Sequence, residues 1–480
     1  MNKDILKKFD RKKQLMVSPL ALAVSGCGGG GETTYAVTDN IMVETPVSVE
    51  ASVTADAPTI PEVSQSGSLR LNSVSFGLTG DITVDAMTQG SRWNTEAGTM
   101  YYAVANGFSG EEWLDFVNTQ TALTMAMAKF SDLTGVQTEI LTSNFETPSD
   151  AADAGATIIL SLDGFYISSL LGNPVWAVGH FPDYPNELFE NQAGTMFLNI
   201  NSQANFLPIQ AYSPGGAGFT LLLHELGHAL GLKHPHDSGG TGRPTFSDIG
   251  FGEFDRDDYT VMSYNDQFDN ILHEPQDFMV ADVIALMYLY GINENVNVYG
   301  SSGTPDARKT YLNTTNENTI FYVDSDASVE VALPYLQVSD LVDIDVGWIT
   351  NLYSGATSWL MGNFQSVICQ GGNDTIFGND LDNIIEAGAG NDYIEGWLGN
   401  DVLHGMSGAD TFTMAVNWGH DIVSDFEVGI DQLLFLNDSL NVDNSIAIHS
   451  INEDGSSVYT LDGDSSITLL GVQTDVMLIA

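Results

Sequence analysis

Residues 224–234 read HELGHALGLKH, a stretch that combines the period of a helix with three histidines. His224 and His228 are one helical turn apart and therefore project from the same face, where two imidazoles can reach one ion. Gly231 lacks a Cβ and can turn the chain sharply out of the helix, which would bring His234 back as a third ligand. Three protein nitrogens leave a coordination position open, as in catalytic rather than structural zinc sites. The stretch therefore predicts one catalytic zinc ion.

Glu225 follows the first histidine and is predicted to be the general base, because it is too close to a ligand to bind comfortably and well placed to take a proton from the attacking water. The alternative is that these histidines are ordinary buried helix residues, which fits a lone HExxH far better than this eleven-residue form. His236 is a rival third ligand, but its spacing misses the pattern by two residues. We therefore expect it not to bind the ion.

The long zinc motif, together with Val261-Met262-Ser263-Tyr264, resembles the metzincins and is similar to the serralysin family among them. The resemblance implies that Met262 forms an apolar floor under the zinc ligands. It also implies that the Tyr264 hydroxyl hydrogen-bonds the oxyanion of the tetrahedral intermediate. Without the upstream motif, both side chains would be interpreted as ordinary core packing.

More of the chain resembles serralysins. Residues 234–248 look like the segment after the third ligand, and residues 281–291 look like the helix that ends the catalytic domain. Residues 195–201 resemble the edge strand that pairs with an extended substrate, a mode that recognises backbone and tolerates varied side chains. The implied activity is a zinc endopeptidase that hydrolyses extracellular proteins.

The pattern of residues 69–294 predicts an α+β domain. The predicted strands and helices come from the spacing of apolar residues and from Gly135 and Gly291 as helix stops. The expected strands are residues 93–105, 157–162 and 195–200, and the expected helices are residues 109–133, 219–230 and 278–290.

A nine-residue repeat follows. Asp374, Asp392, Asp401 and Asp410 recur at multiples of nine, Asn383 takes the intervening place, and each is followed two positions later by Ile, Leu or Phe. The units match the glycine-rich nonapeptide of calcium-binding RTX repeats, which fold as a parallel β-roll. The four aspartates are predicted ligands of several structural Ca²⁺ ions, since hard carboxylate and carbonyl oxygens suit that ion. A metal-free β-solenoid is the alternative.

The charge balance excludes some partners. The 480 residues include 63 acidic and 14 basic side chains, giving a net charge of −49. Such a charge repels nucleic acid and anionic membrane surfaces and favours cations. It also keeps an exported protein soluble, and both explanations can hold at once.

Residues 1–27 are predicted to be a signal segment. Six of the 14 basic residues precede a short apolar run there, which is too short to span a bilayer as a helix. The run ends at Cys27, which resembles a lipoprotein box, so lipidation and outer-membrane attachment form one alternative. Cys369 lies in a different context, so no disulfide is expected. Residues 28–68 have the composition of a disordered linker or removable leader.

The sequence therefore predicts a metzincin catalytic domain over residues 69–294, followed by an all-β calcium-binding β-roll and secretion module over residues 295–480. Residues 475–480 are similar to the uncleaved signal read by type I secretion machinery. We expect a secreted extracellular monomer, with a bacterial surface-anchored lipoprotein as the alternative location. A non-catalytic calcium-dependent adhesin is the rival function, and a zinc hydrolase acting on non-peptide substrates is another.

Overall fold

The computed structural model describes residues 70–108, 110–163, 176–184, 192–199, 213–239, 241–265, 274–296, 302–315, 319–415, 417–436, 443–462 and 465–476. These all belong to one compact unit, and residues 1–69 lie outside the described residues. The predicted signal segment, Cys27 and the linker fall there, and most of the predicted export signal also lies outside. No helix in the described ranges is long and apolar enough to cross a membrane.

The described part of residues 70–296 contains helices and one five-stranded sheet, with a two-stranded β1–β2 ribbon beside it. The helices are α1 (Ile82–Met87), α2 (Phe116–Thr134), α3 (Pro148–Asp153), α4 (Ala217–Leu230) and α5 (Val280–Tyr290). The strands are β1 (Ser73–Ser75), β2 (Ser91–Trp93), β3 (Met100–Val104), β4 (Thr138–Ile140), β5 (Ile158–Asp163), β6 (Ala177–Gly179) and β7 (Thr195–Asn199).

Helix α2 confirms the body of the helix predicted over residues 109–133, but the predicted start was seven residues too early. Asp115 caps the helix by accepting a backbone N–H of the first turn, which fixes the start after it. Trp113 lies before the cap and still reaches the core, where its indole N–H donates to a backbone carbonyl after β3. Gly135 ends the helix in the left-handed conformation, with φ 74°, as predicted.

Helix α4 carries the first two histidines of the motif. Leu222, Leu226 and Leu230 form the buried stripe that packs it into the core. Gly231 ends the helix with φ 104°, and a Cβ at this position would collide with a backbone carbonyl of β2. Only glycine therefore fits the sharp exit that the sequence predicts here.

The five-stranded sheet has the order β4-β3-β5-β7-β6, and β6 is its only strand antiparallel to its neighbour. The predicted strand 93–105 is interrupted by a 3₁₀ turn at Thr95–Ala97, so it contains only the last residue of β2 and, after the turn, all of β3. The edge-strand prediction for residues 195–201 was wrong, because β7 is paired on both sides and β6 takes the edge beside α4.

Beyond residue 302 the described chain is almost entirely β-structure in two large sheets. The first sheet has the order β21-β19-β17-β15-β11-β12-β13-β9, and the second has the order β22-β23-β24-β20-β18-β16-β14-β10-β8. The strands are β8 (Ser302–Gly303), β9 (Thr310–Asn313), β10 (Ile320–Val323), β11 (Val329–Gln337), β12 (Asp345–Asn351), β13 (Thr357–Gly362), β14 (Ser366–Cys369), β15 (Thr375–Asn379), β16 (Ile384–Glu386), β17 (Tyr393–Trp397), β18 (Val402–His404), β19 (Thr411–Ala415), β20 (His420–Val423), β21 (Gln432–Leu436), β22 (Ile448–Ile451), β23 (Ser457–Asp462) and β24 (Ser465–Leu469).

The nine-residue repeat forms strands that alternate between the two sheets, so that residues 18 apart are neighbours in the same sheet. In one sheet Ile376 pairs with Ile394, and Ile394 pairs in turn with Phe412. In the other sheet Ile385 pairs with Leu403. All five side chains are fully buried between the sheets, as the repeat pattern predicts. The C-terminal part is therefore an all-β domain, and its apolar repeat residues form the core.

The two halves of the described chain share a hydrophobic core. Trp359 and Met361 of β13, with Leu312 of β9, belong to the same buried cluster as the helices of the N-terminal half. The predicted domain boundary between residues 294 and 295 stays a prediction.

Candidate metal centre

The three histidines of the motif converge. The Nε2 atom of His234 lies 3.2 Å from that of His224 and 3.0 Å from that of His228. Two nitrogens of a tetrahedral zinc site lie about 3.4 Å apart, given Zn–N distances of about 2.0–2.1 Å. The three nitrogens are therefore close to the spacing that a zinc ion requires, and the donor set is the one zinc prefers.

The opposite nitrogen of each ring is anchored by the protein. The Nδ1 contacts are His224 to the Val261 carbonyl at 2.7 Å, His228 to the Leu232 carbonyl at 2.9 Å, and His234 to Asp237 Oδ2 at 2.7 Å. An acceptor at Nδ1 places the proton there and leaves the Nε2 lone pair free for a metal. The sequence analysis missed Asp237, although a carboxylate three residues after a predicted ligand is a signal that could have revealed it.

Burial keeps the histidine rings neutral. Desolvation, followed by repulsion between the rings, lowers the pKa of His224 and of His228 to about 3, and that of His234 to about 4. Neutral imidazole is the form that coordinates a metal. The centre is therefore ready to bind an ion near neutral pH without first losing protons.

Glu225 points from α4 toward the edge strand and is almost fully buried, with 4% of its surface exposed. Burial raises the pKa of its carboxyl group to about 8, although a hydrogen bond from the Gly179 backbone N–H acts in the opposite direction. A side chain at Gly179 would collide with the α4 backbone beside Glu225, so β6 can approach the helix only because this residue is glycine. A carboxyl group with a pKa near neutrality can accept a proton and later return it.

Met262 and Tyr264 both lie beside the histidine triad. Met262 is fully buried, and its sulfur packs against Gly227 on the metal-facing helix. The Tyr264 ring stacks on His224, with centroids 5.4 Å apart, and also contacts His234 at 4.5 Å. Tyr264 is 66% exposed, so the residue lies at the surface beside the centre.

Asp282 of α5 holds the segment that precedes Met262. Its Oδ1 accepts from the Thr260 hydroxyl at 2.6 Å, and its Oδ2 accepts from the backbone N–H of Val261 at 2.8 Å. The side chain is completely buried, which raises the pKa of its carboxyl group to about 7. The sequence predicted that Asp282 lies on a helix. It did not predict the contacts with Thr260 and Val261, because the partners are about 20 residues apart.

His236 lies beside the centre without pointing into the triad. Its ring stacks on that of His234, with centroids 5.0 Å apart and nearly parallel planes, and its Nδ1 lies 3.7 Å from Asp255. In the described ranges, His234, His236 and Asp237 form a second group with ligand atoms close together. In this second group, His234 Nδ1 and Asp237 Oδ2 already contact each other, so they are not free for an ion. The triad of His224, His228 and His234 is therefore the better zinc site.

The repeat aspartates form a ladder between successive turns of the C-terminal domain. In one sheet the contacts are Asp374 N to Asp392 Oδ1 at 2.8 Å, Asp392 N to Asp410 Oδ1 at 2.9 Å, and Asp410 N to Asp431 Oδ1 at 3.0 Å. In the other sheet they are Asn383 N to Asp401 Oδ1 at 2.8 Å and Asp401 N to Asp421 Oδ1 at 3.0 Å. The repeat count missed Asp421 and Asp431, because short insertions break the period of nine.

The second oxygen of several ladder aspartates is buried without a hydrogen bond of normal geometry among the described residues: Asp374, Asp392, Asp401 and Asp421. The Cys369 thiol interacts with Asp374, and the carboxyl groups of Asp401 and Asp421 interact with each other. Desolvation raises the pKa of the first three to about 7 and that of Asp421, which also faces the charge of Asp401, to about 8. Buried carboxylates normally have partners, so these oxygens suit a cation. The described aspartates do not, however, gather into groups of three carboxylates.

Glycine carbonyls could supply the other oxygens. A Cβ at Gly390 would overlap the Gly372 carbonyl oxygen, and one at Gly408 would overlap that of Gly390. Successive turns therefore approach too closely for any side chain at these glycines, and the carbonyl oxygen of each glycine faces the next turn. Such carbonyl oxygens are ligands that Ca²⁺ accepts beside carboxylates.

Comparisons with known proteins agree with both regions. Residues 377–412 match the family model of the RTX calcium-binding nonapeptide repeat (4 copies). The chain is 31% identical to the serralysin of Proteus mirabilis over 187 residues, covering 36% of this chain and 37% of that protein. The resemblance to serralysin-type proteases with RTX repeats is confirmed.

Two further relatives are similar over longer regions. A serralysin of Photorhabdus laumondii subsp. laumondii is 27% identical over 270 residues, which are 52% of each chain. The metalloprotease AprA of Pseudomonas entomophila is 28% identical over 229 residues, which are 43% of this chain and 45% of that protein. The matched regions thus span about half or less of these relatives.

Proposed function

We propose that the chain is a secreted zinc endopeptidase of the metzincin type that hydrolyses peptide bonds of extracellular proteins and is stabilised by calcium. The observation that carries the proposal is the convergence of three neutral imidazole Nε2 atoms whose Nδ1 atoms are all anchored. A protein ligand set with this orientation suits a catalytic zinc ion.

When bound, zinc would act as a Lewis acid that polarises the peptide carbonyl and acidifies water. Glu225 would accept the proton of the attacking water and then donate it to the leaving amine. The Tyr264 hydroxyl would donate a hydrogen bond to the oxyanion as it forms. These roles follow from the burial of Glu225 and from the position of Tyr264 over the histidine rings.

Strand β6 would bind the substrate. Among the described residues it is the last strand at one edge of the five-stranded sheet, and it packs on α4, next to Glu225. An edge strand can pair with an extended peptide through backbone hydrogen bonds, which gives affinity with little dependence on side chains. We therefore expect broad cleavage specificity.

The C-terminal domain would bind several Ca²⁺ ions through the predicted ligands Asp374, Asp392, Asp401 and Asp410, with Asp421 added by the ladder. The buried second oxygens of Asp374, Asp392, Asp401 and Asp421 support a bound cation. Export through type I machinery and release from the cell follow from the similarity to serralysins, and lipidation of Cys27 remains the alternative.

The rival function is a non-catalytic calcium-dependent adhesin, which the match to the RTX repeat would support by itself. The intact histidine triad and the buried Glu225 favour the protease, since an adhesin has no use for them.

The deciding experiment is hydrolysis of casein by the purified chain in ample calcium. It would be run with and without a zinc chelator, and beside a Glu225→Ala variant. We expect activity in the untreated wild type and a loss of at least about a hundredfold in both controls, because removing a general base typically costs 10²–10⁴-fold. A folded, zinc-loaded wild type that cleaves nothing would favour the adhesin.

A further inference from the structure

Residues 257–261 lead directly to the carbonyl group that orients one zinc ligand. Val261 accepts the hydrogen bond from His224 Nδ1 at 2.7 Å. On one side, this segment is held by α5, where Asp282 binds Thr260 and Val261. The ring orientation of His224 therefore depends on where the segment lies, because a metal-binding histidine is fixed by the partner of its other nitrogen.

On its other side, the segment is held by the C-terminal half of the chain. The Trp359 indole N–H donates to the Asp258 carbonyl at 2.7 Å, and the Trp359 ring lies 5.0 Å from that of Tyr259. Arg308 Nη2 lies 2.7 Å from Asp257 Oδ1, a close ion pair whose angles are not those of a hydrogen bond. Three consecutive residues before Thr260 thus contact β13 or the residues just before β9.

These contacts are shielded from water. Trp359 is 6% exposed and Arg308 is 1% exposed, so a carbonyl or carboxylate that lost its partner here could not be solvated in place. The segment would have to move to find a substitute. Any movement at Asp258 reaches Val261 within three residues.

We propose that Trp359 and Arg308 are positioning residues for the zinc centre. The C-terminal domain thereby completes the support of His224 and is more than a stabilising attachment. This inference rests on the proposed zinc function only in so far as the triad binds zinc. Neither side chain contacts a ligand, and both act through residues 257–261.

The competing explanation is that these contacts only join the two halves of the protein. In that case, their loss would lower the free energy of unfolding and leave the affinity of the folded protein for zinc unchanged. The two explanations therefore differ in the dissociation constant for zinc.

The test uses the full chain in saturating calcium and compares Trp359→Phe with the wild type. Phenylalanine keeps an aromatic ring against Tyr259 and removes only the indole donor. Trp348→Phe is the matched control, because Trp348 faces Trp359 on the neighbouring strand but donates to Glu330 at 2.8 Å.

Zinc affinity is measured by competition with a chromophoric chelator, and the visible spectrum of the cobalt-substituted protein reports ligand geometry. Thermal unfolding is recorded for each metal-free protein.

We expect Trp359→Phe to raise the zinc Kd about three- to tenfold, less than the 10–100-fold typical of groups that touch a ligand directly, and to alter the cobalt spectrum. Trp348→Phe should leave both unchanged. Arg308→Lys, which keeps the charge but shortens the reach to Asp257, should shift zinc affinity in the same direction and provides a second variant if Trp359→Phe folds poorly.

Equal zinc affinity in the wild type and Trp359→Phe would overturn the inference, as would an equal loss in Trp348→Phe. A wild type that binds zinc but cleaves no protein would reject the protease proposal and leave this inference standing. A wild type that does not bind zinc would reject both.

Discussion

The histidine triad and the aspartate ladder use the same device with different consequences. In each, one polar atom of the side chain is anchored by the protein and the other is left for a cation. The histidines are neutral without an ion, whereas the aspartates carry charges that burial opposes. The zinc centre can therefore be preformed without metal, whereas the stability of the ladder should depend on calcium at neutral pH.

The largest expected effect is a decrease in the free energy of unfolding of the C-terminal domain when calcium is removed at pH 8. Two sites at 100 times their Kd would contribute about 5 kcal/mol, which corresponds to a decrease in Tm of about 10–20 °C for a domain of this size. Calorimetry with and without a calcium-selective chelator measures the shift. An unchanged Tm would show that the repeats form a metal-free solenoid.

The same ladder gives the chelated protein a distinctive pH dependence. The folded-state pKa of Asp392 is raised from 3.8 to about 7, and that of Asp374 is raised equally. Because the carboxyl pKa is higher in the folded state, protonation of these aspartates favours folding. This contribution to the free energy of unfolding is full below about pH 4 and is lost as the pH rises through about 7. The chelated C-terminal transition should therefore move to higher temperature between pH 8 and pH 5.5. Calcium should abolish this trend, and a trend of the opposite sign would contradict the proposed ladder energetics.

A smaller effect is expected at the zinc centre from Asp237→Asn. Asp237 accepts from His234 Nδ1 and, through its other oxygen, from the Gly239 backbone N–H. An amide has only one acceptor oxygen, so one of these donors would face an NH₂ group. We expect the zinc Kd to rise about 10–100-fold, measured by chelator competition.

Asp248→Asn is the control for that experiment, since Asp248 is exposed and its carboxylate hydrogen-bonds only Thr245 among the described residues. Equal zinc affinity in both variants would mean that Asp237 does not orient the ligand. Zinc affinity would then depend less than proposed on the hydrogen bonds that hold the Nδ1 atoms of the histidines.

Local patterns predicted much of this fold. The helix stop at Gly135, the exit at Gly231 and the buried repeat residues from Ile376 to Phe412 were all predicted correctly, because each depends on spacing within a few residues. The start of α2 was misplaced because Trp113 continues the apolar stripe beyond the cap at Asp115.

The long-range features could not be derived in this way. Strand order decides that β6, and not β7, forms the edge of the sheet, and no single strand carries that information. The contacts of Asp282 with the segment at Val261, and of Trp359 with Asp258, join distant parts of the chain. Both depend on tertiary folding, which brings Asp282 to Val261 within the N-terminal half and Trp359 to Asp258 across the two halves.

The central claim is that one zinc ion on His224, His228 and His234 serves peptide hydrolysis with Glu225. The most direct measurement is a zinc titration of the chelator-stripped, calcium-loaded chain, following cleavage of fluorogenic casein. We predict that activity rises linearly and levels off at one equivalent of zinc, while Glu225→Gln binds the same single equivalent without regaining activity. Full activity in the stripped protein, or an active Glu225→Gln variant, would contradict it.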